Sequence, residues 1–161
     1  MPPYLSTLFQ NDLIDAFSNE LPTAVWSSLV AELEFGYLLC GQRLPRYGGG
    51  LRDVYFPAGS TIAVYAGASR ENASIAHIGD RGMTPLGEFM NDEMCRPCRF
   101  EVEWPGVAFS IRADKLREIA SGWDYLRSVI AASEHATRFR VMSDMKLVRS
   151  VSSQLMRKMG T

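Results

Sequence analysis

Glycines punctuate the middle of this chain. Gly36, Gly41, Gly48–Gly50, Gly59, Gly67, Gly79 and Gly82 divide residues 34–111 into short segments rich in β-branched and aromatic residues. "DVYFPAGSTIAVYAG", "NASIAHIG" and "RFEVEWPGVAFSI" read as strands, the last as two strands about a turn at Pro105–Gly106. Tight connections between strands often need a positive φ, which only glycine adopts cheaply. Many short strands separated by regular turns make a sandwich or a jelly-roll barrel.

The pattern on either side is helical. In residues 9–33, Leu13, Ile14 and Phe17, then Val25, Leu29 and Leu33, recur at helical spacing. Asn11 stands where a cap belongs and Pro22 where a first-turn proline does, so two short helices are expected. After Ala113 the apolar stripe runs through Leu116, Ile119, Ala120, Trp123, Leu126 and Ile130, with Asp114 at its start and Gly122 as a break. It resumes as Met142, Met145, Val148, Ser152, Leu155 and Met159, near the a/d spacing of a coiled coil. The fold class is therefore mostly β with flanking helices. One domain is expected: helices over 1–33, a β-roll over 34–111 and helices over 112–161, the last long enough to pair with a second subunit through Met145, Val148 and Leu155.

With 161 residues, 47% of them hydrophobic, the chain can bury a proper core. Its net charge of −1 argues against a nucleic-acid binder that relies on phosphate neutralisation. Bases do gather in the last helix, where Arg138, Arg140, Lys146, Arg149, Arg157 and Lys158 face Asp144 alone, a pattern typical of a solvated face. The N-terminus lacks the basic and uninterrupted apolar regions of a signal peptide, and no apolar run spans a bilayer. A cytoplasmic location is expected.

The stretch "LCGQRLPRYGGGLRDVYFPAGSTIAVY" resembles the effector domain of CRP/FNR-type bacterial transcriptional regulators. The resemblance rests on Leu38, Gly41 and Leu44, the turn glycine Gly50, and Val54-Tyr55-Phe56-Pro57. "IAHIGDRGM" and "VEWPGVAFSIRADKLREI" continue it, so that it covers residues 11–130. It implies a double-stranded β-helix with N-terminal helices and a long C-terminal dimerisation helix. It also implies a phosphate-binding cassette, in which a glutamate accepts from a ribose hydroxyl and an arginine with following backbone N–H groups holds a cyclic phosphate.

The matching segment is "LGEFMNDEMCRPCRF". Gly87 and Glu88 fit, and Arg96 or Arg99 supplies the charge-assisted fork that a phosphate needs. The rest departs from the pattern. Asn91 and Asp92 replace an apolar turn, Glu93 adds a second negative charge, and Pro97 has no N–H to donate after Arg96. If Arg99 is the arginine, bulky Phe100 follows where a small residue is expected. The cassette reads as degenerate, with a cyclic nucleotide or another small anion as its only implied ligand and no resident cofactor.

Other chemistries find little support. Cys95 and Cys98 form the only C-x-x-C. Zinc needs about four ligands, and only Cys40, His77 and His135 remain to complete a set. A thioredoxin-type site would put the motif at a helix N-terminus in an α/β fold, which leaves a reversible Cys95–Cys98 disulfide as the sharper alternative to two structural cysteines. His77 alone in the β region cannot make a cupin metal site, and two histidines leave no Ser-His-Asp set to argue for. No phosphate-binding P-loop or dinucleotide fingerprint is present. The expectation is a non-enzymatic sensory and dimerisation module that lacks a winged helix-turn-helix and so does not read DNA sequence alone. The alternative is an interaction protein that binds no ligand and pairs with a partner regulator through its last helix.

Overall fold

The structure, a computed structural model, describes residues 9–47, 50–66, 74–86 and 98–160; of residues 47, 66, 75 and 141–152 it describes the backbone alone. Asn11 starts helix α1 (Asp12–Glu20), its Oδ1 accepting from the N–H groups of Leu13 and Ile14. The same side chain donates to the carbonyls of Pro57 at 2.8 Å and Gly82 at 2.9 Å, tying the helix start to two loops of the roll. Helix α2 (Thr23–Glu32) follows with Pro22 at the cap position, one place before the first turn where the sequence suggested it. Ile14, Phe17, Val25 and Leu29 are buried, so both apolar stripes face inward.

Eight strands follow among the described residues: β1 (Glu34–Leu38), β2 (Arg46–Tyr47), β3 (Gly50–Leu51), β4 (Asp53–Pro57), β5 (Thr61–Ala66), β6 (Ser74–Ile78), β7 (Cys98–Trp104) and β8 (Gly106–Arg112). They form antiparallel sheets of order β1-β8-β4 and β6-β5-β7, with β2 and β3 as a small ribbon. β7 and β8 belong to different sheets, so Pro105 carries the chain from one wall of the roll to the other. Gly106 is required there by contact: a Cβ on it would lie 2.5 Å from the carbonyl oxygen of Gly59. Gly59 itself has φ +110°, so two glycines meet at this corner. Two expected turn glycines lie inside strands instead, Gly36 in β1 opposite Ala108 and Gly50 in β3 opposite Tyr47.

The Val54–Pro57 segment is apolar at every position because both of its faces are covered. Val54 and Phe56 join the core beneath the helices, while Tyr55 faces the interior of the roll. That interior is filled by residues that include Leu44, Ile62, Val64, Phe100 and Val102.

Helix α3 (Ala113–Ser121) ends at Gly122, and α4 runs unbroken over Asp124–Met159. Leu116, Ala120, Leu126 and Ile130 are buried against the roll. Trp123 departs from the expected stripe: it is 41% exposed and occupies the cap position of α4. Beyond Thr137 the exposure of α4 rises, and Leu155, Met156 and Met159 are 55%, 77% and 84% exposed.

Candidate functional site

Of the cassette residues, Gly87, Glu88 and Arg96 lie outside the described residues, as does Cys95; so do the side chains of Met145 and Val148. Arg99 is described, and strand parity decides where it points. On β7, Cys98, Phe100 and Val102 fill the interior of the roll, so Arg99, Glu101 and Glu103 face outward. The Arg99 guanidinium lies 4.4 Å from the centre of the Tyr65 ring, and its Nε is 3.6 Å from a Glu101 oxygen. Glu101 is also 3.9 Å from Arg43. Arg99 thus belongs to a cation–π and ion-pair cluster on the outer wall. Of the two arginines that the sequence left open, Arg99 makes these contacts on the outer wall, and Arg96 lies outside the described residues.

Leu86 is the last described residue before residues 87–97, and it is held on both sides. Its N–H donates to Glu134 Oε1 of α4, and its carbonyl accepts from Arg117 Nη2 of α3. Both bonds carry a formal charge on one partner and are partly buried, the stronger class of hydrogen bond. The Leu86 side chain is buried in the core under the helices. One residue therefore joins the chain just before residue 87 to both C-terminal helices. A cleft of about 370 Å³ opens beside it, lined by Arg117, Arg127, Ile130 and Glu134 among others. Arg127 in turn pairs with Asp124.

The structure assembles one group that the sequence did not suggest. His77 Nδ1 is 2.6 Å from Glu103 Oε2, and His77 Nε2 is 3.2 Å from Ser74 Oγ. The order serine, histidine, carboxylate is that of a hydrolytic triad. Here it lies on the outer face of β6-β5-β7, with His77 and Glu103 reaching across β5, and both are about half exposed. Acyl transfer also needs donors for an oxyanion in a water-excluded site, and this exposed face supplies no such enclosure. The group acts as a polar strap across the sheet.

Cys98 is 1% exposed within the roll, the setting of a structural cysteine. Cys40 is exposed, and its thiol donates to the Glu103 carbonyl at 3.4 Å. Among the described residues, no three His, Cys, Asp or Glu side chains are placed to hold a metal ion. No helix of these residues is long and apolar enough to cross a membrane.

No protein-family model and no curated protein sequence matches this chain. Its fold does match solved structures. A CRP/FNR-family transcriptional regulator structure from Eubacterium rectale superposes with a TM-score of 0.67 at 16% identity, covering 92% of this chain and 73% of that one. The sensor domain of the transcriptional regulator DNR from Pseudomonas aeruginosa gives 0.57 at 13% identity, over 74% and 86% of the two chains. A structure described as a cyclic nucleotide-binding protein from Geobacter metallireducens gives 0.57 at 10%, over 88% and 98%. Over most of its length the chain carries the jelly-roll fold of cyclic-nucleotide-binding-type domains, the fold of the CRP/FNR regulators.

Proposed function

We propose that this chain is the sensory and dimerisation module of a CRP/FNR-type transcriptional regulator, with a degenerate phosphate-binding cassette and no enzymatic activity. The observation that carries the reading is the double anchorage of Leu86 by Arg117 and Glu134. Residues 87–97 leave the roll at Leu86 and rejoin it at Cys98 of β7, and the Leu86 end is bonded to α3 and α4, which gives a change there a route to both helices. That is the wiring a sensor needs: an anion site at one end and a long pairing helix at the other.

In this reading Gly87 and Glu88 meet the ligand's sugar or its equivalent, and Arg96 meets its anionic group. Arg99 supports the strand from outside rather than touching the ligand, which accords with its bonding to Tyr65 and Glu101. The exposed Leu155, together with Met145 and Val148, forms the seam for a second copy. No described element after Arg112 other than α3 and α4 is present to enter a DNA groove, so DNA reading is not assigned to these residues. The module works in the cytoplasm with its regulator.

A second reading is favoured by the position of Arg99. With that arginine on the outer wall, one arginine followed by a proline is left for a phosphate, and a vacant roll that only pairs with a partner regulator becomes the competing function. Titration calorimetry of the full chain with cyclic AMP and cyclic GMP separates the two. Heat that disappears in Arg96→Ala and persists in Arg99→Ala supports the sensor. Silence with both nucleotides, together with a complex with a partner regulator that Leu155→Asp disrupts, supports the second reading.

A further inference from the structure

Where α4 crosses the end of β6, a cleft of about 390 Å³ separates the helix from the turn that follows the strand. Its wall is apolar, built from Leu13, Ile78, Met83, Val129 and Ala132. Ser133 and Thr137 add hydroxyls, His77 reaches the rim, and two arginines line the cleft, Arg81 from the turn and Arg140 from the helix. Among the described residues, no carboxylate lines it. The clefts near Trp123, Leu86 and Gly59 all differ in this respect, since they carry Glu32 and Glu118, Glu134, and Asp80 respectively.

Three described carboxylates beside the lining residues are engaged elsewhere, and the side chain of Asp144, four positions after Arg140, lies outside the described residues. Asp80 accepts from the Gly59 N–H at 2.8 Å, and Glu134 from the Leu86 N–H. Glu103 pairs with the His77 ring, whose other nitrogen meets Ser74, so the imidazole is committed to the sheet face. Arg81 and Arg140 form no ion pair among the described residues. Two cations on different elements, lining one cleft with an apolar wall and with no ion pair among the described residues, are complementary to a molecule with an acid at one end and hydrocarbon at the other.

We propose that this cleft binds a small amphipathic organic anion, a carboxylic acid with an apolar body of medium chain length, held by Arg81 and Arg140. The site is separate from the cassette and does not depend on the function proposed above. Its occupant would bridge the roll to the long helix, since one arginine lies on each.

Calorimetry of the full chain with octanoate and with octan-1-ol tests this. Octanoate is expected to bind at least ten-fold more tightly than the alcohol. Arg81→Ala and Arg140→Ala should each weaken octanoate at least ten-fold. Ala132→Phe, at an exposed position on the wall, should remove binding while leaving the circular dichroism spectrum unchanged. Arg96→Ala should leave octanoate affinity intact, whatever it does to cyclic nucleotides. No octanoate binding, equal affinity for the alcohol, or full affinity in both single arginine variants overturns the proposal. Loss of octanoate in Arg96→Ala alone also overturns it, by moving the anion into the roll.

Discussion

Asn11 uses every polar atom of its amide and is fully buried: its oxygen caps α1, and its nitrogen reaches the carbonyls of Pro57 and Gly82. Removing it leaves two helix N–H groups and two carbonyls to find other partners. Asn11→Ala is expected to cost about 2–3 kcal/mol in denaturant unfolding. Asn11→Asp separates the two roles, because aspartate keeps the cap but turns a charge towards two carbonyls; full stability in that variant would show that the tie to the loops contributes nothing. Tyr55 gives a pH prediction. Burial, and next the charge of Asp53, push its phenol above the usual tyrosine value of 10.0. The folded state therefore holds the proton more tightly than the unfolded one, so this contribution is complete below pH 10 and is lost as pH rises beyond it. Tyr55→Phe should flatten the fall of stability above pH 10 in urea titrations; an unchanged slope would remove Tyr55 from the account. Asn11 was legible as a cap from its place before an apolar stripe. Its two long-range bonds were not, because they join residues 46 and 71 positions apart.

At the scale of elements, the two anchors on Leu86 make a sharp prediction. Arg117→Ala and Glu134→Ala should each speed hydrogen exchange at the Leu86 amide and its neighbours by about ten-fold, in line with the loss of a charge-assisted bond. Glu134→Ala should act directly on that amide, and Arg117→Ala only through the carbonyl side. Protection as in the wild-type chain in both variants would mean that packing of the Leu86 side chain alone holds the segment. Helices and strands were legible here because burial follows period: 3.6 for Leu116 and Ala120 in α3 and for Leu126 and Ile130 in α4, and both faces apolar for Val54 to Pro57. The outward face of Arg99 was not legible, because a strand inverts every side chain when its register moves by one residue. The Ser74–His77–Glu103 strap escaped for a related reason: its members sit on two strands separated by a third. Trp123 was misplaced because a stripe continues on paper through a helix break that Gly122 imposes in space.

For the whole molecule, the question is what covers the far part of α4. Leu155 is 55% exposed and lies in line with Met145 and Val148 in the sequence seam. Leu155→Asp is expected to convert a dimer to a monomer in sedimentation at micromolar concentration, with little change in the thermal midpoint of the roll. A wild-type chain that sediments as a monomer throughout that range would remove the self-pairing seam. The jelly roll was legible as a class because its glycines and short strands recur along the chain. The state of the cassette was not, because anion binding depends on where side chains converge rather than on which residues occur. The reach of α4 has a mechanical consequence. Its first turns are embedded by Leu126 and Ile130, Thr137 is the last position described as buried, and a helical span leads from it to Met159. At 1.5 Å per residue that span is about 33 Å long, so a tilt of roughly 10° at its root swings the tip through about 6 Å. A displacement too small to disturb the barrel would be magnified at the far end into the breadth of a side chain.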